Sequence, residues 1–382
     1  MDEKCPQSVP EIILFTQMKE HDFSKYLKRN PGKLLPELEK FPHAVIVPAY
    51  DETEYLPGLL ASLSEAEIPA PIAVIAVVNH PAGTGCASSL ELLAKLGHIV
   101  LPPPLKLFTI YAPQLKHGVG EARKIGFDLF SRSRNCENAE TSLMFSLDSD
   151  CTVHKEYFSA TLNAVKEHQA GCAVIAVAHQ KPQDDISAQA IETYEQYLLD
   201  YEKKLSFAGS PYAFNAIGSG FAVTVSSYIK CGGMKLKKAG EDFYFIQDAV
   251  KCTKVIKVPS PLVYPSARIS ERVPFGTGTA VRDIIGGTMP RAVTDDAFSE
   301  LKKVLETISI PGALDSGEKF VSMLKGRAAD FFVVNGFTSD WNRITGNQKF
   351  PDTNGQIRAF HLWFDALQTR RFLHYLSESE TL

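Results

Sequence analysis

Asp148 and Asp150, separated by Ser149, close the apolar run LMFSL at 143–147. Neighbouring residues of a strand point to opposite faces, so positions two apart share a side and can converge on one cation. Hard cations such as Mg²⁺ or Mn²⁺ take carboxylate oxygens and leave room for phosphate oxygens. Two carboxylates with no salt partner nearby in sequence would repel, and a metal relieves that. The same residues would also serve as an Asp-rich turn capping the helix that follows.

A second acidic pair, Glu241-Asp242, follows Gly240 and opens an apolar helical stretch. Acidic residues favour helix N-termini through the macrodipole; a carboxylate there can equally take a proton from an attacking hydroxyl, a step worth ~10²–10⁴ in rate. Gly118 and Gly120 precede a helix bearing Arg123, where backbone can approach a ligand closely and the helix start favours an anion. Gly218-Ser219-Gly220 stands before a strand-like run, and Gly232-Gly233 after a short helix. Arg268 and Arg272 sit in a glycine-bearing loop suited to neutralising a departing phosphate, or to ordinary solvated surface. His117 and His154 read as structural, Cys151 as a small buried filler, and Lys235, Lys237 and Lys238 as a solvated loop.

The elements that position these residues alternate. AVIVPAY at 44–50, IAVIAVVN at 72–79, FTIYAP at 108–113, the run ending at Asp150, and GCAVIAVAHQ at 171–180 read as buried strands. Between them lie segments with apolar residues at helical spacing. This alternation predicts an α/β fold with a mainly parallel, doubly wound sheet flanked by helices. Ligands sit beyond the carboxyl ends of strands in such sheets, which is where Tyr50, Asn79, Asp148 and Asp150 fall. Residues 1–40 read as a helical N-terminal extension broken by Pro31 and Pro36, 41–290 as a catalytic domain, and 291–382 as a helical C-terminal region.

With 382 residues, 45% hydrophobic and 22% charged, the chain is excluded from the disordered, collagen-like and rod-like classes. A formal net charge of −4 gives no reason to expect nucleic acid or an anionic membrane as partner. The seven cysteines are scattered without a CxxC pair, which argues against a disulfide framework or a cysteine zinc site. No segment reaches the ~20 apolar residues of a membrane span, and the acidic start does not resemble a signal peptide. The chain reads as soluble and cytoplasmic; its oligomeric state is not legible.

The order PAYDETEYLPGLLASL, VVNHP, GVGEARKIGFD, D-x-D, a glycine loop with CGGM and then G-E-D resembles the family-two glycosyltransferases of the GT-A (Rossmann-like) fold, over about 44–275. The resemblance implies a nucleotide-diphosphate sugar donor, an acceptor hydroxyl, Mg²⁺ or Mn²⁺ on the diphosphate, and inversion at the anomeric centre. It implies that Pro48, Tyr50 and Glu52 line the nucleotide pocket, with Asn79 near the base and Arg123 near the nucleotide. Asp148 would touch ribose or sugar and Asp150 would ligate the metal. Asp242 would be the catalytic base, with Glu241 binding acceptor or sharing that role. The basic-loop arginines Arg268 and Arg272 would meet the diphosphate. The chain departs from the family in having Asp51 where Asn is usual and Asn79 where an aspartate commonly contacts the base. It also has no histidine between His179 and His361 to act as a further metal ligand; water, another side chain or His361 would fill that place.

Two rival readings remain. FSLDSDCT matches the nucleophile signature of haloacid dehalogenase-like phosphatases, with Asp148 attacking phosphorus, although that signature normally opens its fold. A non-catalytic sugar-nucleotide binding protein would use Trp363, Phe364 and Phe372 as an interaction surface, whereas those aromatics more simply pack a core.

Overall fold

The computed structural model describes residues 18–182, 184–237, 240–268, 276–347 and 352–378. They form two compact units, one of residues 18–195 and 216–288, the other of 196–215 and 289–378.

The first unit is built on eight strands: β1 (His43–Ala49), β2 (Ile72–Pro81), β3 (Leu105–Leu115), β4 (Leu143–Ser146), β5 (Thr152–Val153), β6 (Cys172–Val177), β7 (Phe221–Thr224) and β8 (Val255–Tyr264). Their order is β3-β2-β1-β4-β7-β6-β8-β5. The left half is parallel, β7 runs antiparallel to both β4 and β6, and β8 returns parallel to β6. β1 and β2 are continuous runs of buried residues, as strands covered on both faces must be.

Helices α1 (Glu20–Arg29), α2 (Leu56–Glu65), α3 (Ala87–Leu96), α4 (Val119–Arg132) and α5 (Tyr157–Glu167) come first along the chain. α2 buries Leu56, Leu59, Leu60 and Leu63; the i, i+3, i+4, i+7 spacing lines them along one face. Each buried leucine contributes roughly 1.5–3 kcal/mol relative to exposure. On α4, Gly126 lies against β1 and β2: a Cβ there would come 2.6 Å from Ile46 Cγ2 and 3.2 Å from Val77 Cγ2. α1 is held onto α4 through Tyr26, whose hydroxyl donates to Asp128 at 2.7 Å, and through Lys124, which donates to Asn30 at 3.0 Å. Between Pro31 and the sheet only a 3₁₀ turn forms, Pro36–Lys40.

The next helices are α6 (Asp185–Phe207), α7 (Val225–Lys230), α8 (Glu241–Cys252) and α9 (Thr277–Ile285). α7 and α8 place Tyr228 and Phe245 with Phe127 and Phe221 in one aromatic cluster, with ring centroids 5.2–5.9 Å apart. This cluster seats the N-terminus of α8, and with it Glu241 and Asp242.

The second unit is helical: α10 (Asp295–Thr307), α11 (Gly317–Met323), α12 (Gly326–Val334), α13 (Phe337–Asn347), α14 (Thr353–Trp363) and α15 (Ala366–Ser377). Thr294, Ser316, Asp352 and Asp365 cap four of these helices by accepting backbone N–H groups in the first turn. Phe320, Phe332, Phe337, Phe360, Phe364 and Phe372 are fully buried in its core. Trp363 is partly buried there and donates Nε1–H to Asp340 at 2.9 Å. These aromatics therefore pack a core, and the interaction surface considered for Trp363, Phe364 and Phe372 is not formed. Among the described residues no helix is long and apolar enough to cross a membrane.

Candidate active site

β1 and β4 are parallel neighbours, so both release their chains at the same edge of the sheet. Pro48 stands near the end of β1, and its carbonyl accepts a hydrogen bond from Ser149 Oγ. Ser149 is buried. That bond ties the Asp148-Ser149-Asp150 turn to the β1 end and leaves the flanking carboxylates half-buried. Beyond Ala49 come Tyr50, then Asp51 with a left-handed φ of 54°, then Glu52, which is buried. Asn79 is buried in β2, one pair beyond the Ala49–Val78 register; its side-chain amide donates to the Val77 carbonyl at 3.0 Å.

Two arginines organise the acids. Arg123, only 3% exposed, reaches from α4 with one guanidinium nitrogen on Glu241 and the other on Asp148. The glycines around it make room. A Cβ on Gly120 would lie 2.9 Å from Glu241 Cβ and Cγ, and one on Gly218 only 2.4 Å from the Arg123 guanidinium. Gly120 thus admits a protein side chain, and the proximity that the sequence suggested for a ligand is used inside the fold. Gly118, with φ of 63°, makes the turn into α4, where Glu121 accepts the N–H groups of Lys116 and His117 at 2.8 and 2.9 Å.

Arg268 lies past the end of β8. Its Nε donates to Asp150 Oδ2 at 2.9 Å, its Nη2 to Glu52 Oε1 at 2.5 Å, and its guanidinium stacks 4.2 Å from the Tyr55 ring centroid. The backbone is gathered to the same point: Ser266 N–H and Gln180 Nε2 both donate to the Asp150 carbonyl at 3.1 Å. Burial, then the charge of Asp148, raise the Asp150 carboxyl to about 6 despite Arg268; Glu52 adds to the rise. Arg272 lies outside the described residues.

On α8, Gly240 caps the helix with φ of 69°, and Asp242 Oδ1 accepts the Phe243 N–H at 2.8 Å. Burial, followed by the neighbouring Glu241 charge, pushes the Asp242 carboxyl up; Arg123 opposes the rise. Glu241 is buried and committed to Arg123, whereas Asp242 is not wholly buried. The two adjacent acids are thus differentiated by their environment.

The donor set suits a hard divalent cation. Asp148, Asp150 and Glu52 put more negative than positive charge in a desolvated spot, and a guanidinium already stands beside Asp150 where a cation would relieve it. Among the described residues no three His, Cys, Asp or Glu side chains are close enough to hold a metal by themselves, so further ligands would come from phosphate and water. His361 is buried in the helical unit, its ring 6.0 Å from Tyr212, with its pKa lowered to about 4 by burial.

Contacts the sequence did not signal also shape the site. Tyr55 and Gln180 hold Arg268 and Asp150. His179 makes bonds of 2.8 Å to Glu195 and 3.1 Å to Thr277 Oγ1, joining β6, α6 and α9. All three lie in runs that the sequence marks, but nothing local to them names these partners.

An acidic turn at the end of β4, two arginines and a second acidic pair at a helix start thus meet at one edge of the sheet in the α/β unit. Residues 44–232 match the family model for glycosyl transferase family 2, a segment just short of half the chain. That segment is a glycosyl transferase family 2 match, and the protein is a glycosyltransferase. The D-x-D follows the fourth strand, inside the matched segment, which sets aside the phosphatase reading. Among solved structures, S. aureus TarS 1–349 in complex with UDP-GlcNAc is 14% identical, with a TM-score of 0.45 over 76% of this chain and 80% of that one. The same TarS fragment without that ligand is 14% identical, with a TM-score of 0.43 over 78% and 82%. TarS in a longer form is 16% identical, with a TM-score of 0.41 over 70% and 44%. No curated protein shows significant sequence similarity to the chain.

Proposed function

We propose that the sugar donor is a nucleoside diphosphate sugar, and that transfer to an acceptor hydroxyl inverts the anomeric centre with Asp242 as base. The observation that carries the reading is the division of labour among the acids: Asp150 is paired with a cation at a strand end, while Asp242, raised in pKa, is only half-buried on the start of α8. Pro48 at the end of β1 and Tyr50 and Glu52 just beyond it line the nucleotide side, with Asn79 toward the base. Asp148 is oriented by Arg123 toward ribose or sugar.

Mg²⁺ or Mn²⁺ held at Asp150 would supply the charge that stabilises the departing diphosphate. Arg268 and Arg272 bring further positive charge to those oxygens. Asp242 accepts the acceptor's proton as the hydroxyl attacks the anomeric carbon from the side opposite the leaving group. A carboxylate with a raised pKa is a stronger base while still ionised near neutrality. Glu241, tied to Arg123, fixes the start of α8 so that Asp242 keeps its aim and takes part in acceptor binding. The free thiols of Cys86, Cys136, Cys151, Cys172, Cys231 and Cys252 support a reducing, cytoplasmic setting.

The test is a thermal-shift panel of nucleoside diphosphates and nucleotide sugars with and without Mn²⁺. A ligand that binds the folded state raises the midpoint by mass action. A selective, metal-dependent rise supports the donor class and names the base. A flat response across the panel would refute it.

A further inference from the structure

We infer that the Arg268 guanidinium and the divalent cation are alternative occupants of one position, so that Arg268 leaves Asp150 when metal and donor bind. The inference rests on the proposed metal-assisted donor binding and assigns Arg268 a second station within it.

The geometry is specific. Arg268 spans two acids far apart in the chain, Asp150 at 2.9 Å and Glu52 at 2.5 Å, and sits over the Tyr55 ring. It meets Asp150 through Nε on Oδ2 and Glu52 through Nη2, so its fork is divided between the two carboxylates. A divalent ion on Asp150 would sit within a few ångströms of that guanidinium, and like charges so close in a partly desolvated pocket repel strongly. One of them must leave. The metal is a point charge needing Asp150 oxygen, whereas the arginine has a long side chain and, once a diphosphate arrives, phosphate oxygens that match its planar fork. Its backbone is anchored meanwhile: Ser266 N–H is bonded to the Asp150 carbonyl and Arg268 N–H to Ser266 Oγ at 3.3 Å. The side chain can therefore swing from carboxylate to phosphate without the chain moving.

Two consequences follow from linkage. The free enzyme binds metal weakly, because the cation must displace a guanidinium. Diphosphate, by giving Arg268 somewhere else to go, strengthens metal binding, and metal strengthens diphosphate binding by the same factor.

The experiment measures Mn²⁺ alone, by electron paramagnetic resonance titration of the full chain, in wild type, Arg268→Gln, Arg268→Met, Arg268→Lys and Asp150→Asn. Circular dichroism confirms that each variant is folded, and Gln and Met are alternatives should one of them not fold. The expected result is that the uncharged Gln and Met variants bind Mn²⁺ at least about tenfold more tightly than wild type. Lys, which keeps a cation in place, stays close to wild type, and Asp150→Asn binds least. Adding inorganic pyrophosphate should tighten Mn²⁺ binding in wild type far more than in Arg268→Gln. Equal or weaker Mn²⁺ affinity in both uncharged variants overturns the exchange while leaving the metal site standing. If no protein binds Mn²⁺ at millimolar concentration, with or without pyrophosphate, the metal site itself is refuted and the exchange with it.

Discussion

Replacing Arg123 with Met should destabilise the α/β unit by about 3–5 kcal/mol at pH 7. Arg123 is 3% exposed and Glu241 4%, and the two are joined directly. Removing the cation leaves a carboxylate that water cannot reach, and the penalty of an uncompensated buried charge dominates over the lost van der Waals contact. Asp148, the other partner, is 36% exposed and can be resolvated, so it adds little. The cost therefore belongs to Glu241, which gives the prediction a sign test. Arg123→Met combined with Glu241→Leu should recover most of the loss, because neither charge is then stranded. Both tryptophans, Trp341 and Trp363, lie in the helical unit, so calorimetry, not tryptophan fluorescence, is the readout for this core. If the double variant is as unstable as the single one, the stranded-charge argument is wrong. Because Arg123 holds the Asp242 carboxyl down, its loss should also move the acid limb of the rate profile to higher pH.

Asp242→Asn should preserve donor binding and lower transfer by about 10²–10⁴; near wild-type turnover would remove Asp242 as base. In wild type, rate should rise with pH through about 7, because Asp242 must be ionised to accept a proton and its folded pKa is raised to about 7. Gly126→Ala should destabilise by about 1–3 kcal/mol by overpacking, offset by up to ~1 kcal/mol of helix propensity, because its Cβ would meet Ile46 Cγ2 at 2.6 Å; a rise in the melting midpoint contradicts this. His43 accepts the Leu143 N–H on Nδ1 at 3.1 Å and its pKa is lowered to about 4 by burial, with Arg134 adding to the effect. It is neutral in the fold, so the unfolded chain binds more protons as pH falls from ~6.5. Its stabilising contribution, up to about 3 kcal/mol, is present above pH ~6.5 and lost toward pH 4. The urea midpoint of His43→Asn should fall less than that of wild type between pH 7 and 5.

The alternation of strand and helix was readable because its periods are local. β1, β2 and the run leading to Asp148 announce themselves by continuous β-branched and apolar residues, and α2 by leucines at i, i+3, i+4 and i+7. β8 was missed: its ValIleLysValProSerProLeuValTyr sequence contains two prolines and an exposed middle, which argue locally against a strand. Parallel pairing with β6 overrides that. The long helix α6 was also missed, since 185–207 is too polar to stand out against a core pattern.

The site divides in the same way. The sequence marked the candidate residues: Asp148 and Asp150 at a strand end, Glu241 and Asp242 at a helix start, and the arginines Arg123 and Arg268 on either side of them. These are short-range facts, set by the two-residue period of a strand and the first turn of a helix. Only the tertiary structure decided who pairs with whom. Arg123 meets Glu241 across 118 positions, and Arg268 meets Glu52 across 216. Such contacts depend on helices docking on a sheet closely enough to bury a guanidinium, which in turn depends on shape at Gly120 and Gly218. No local pattern encodes that closeness, because burial and charge pairing are properties of what the chain brings together from a distance.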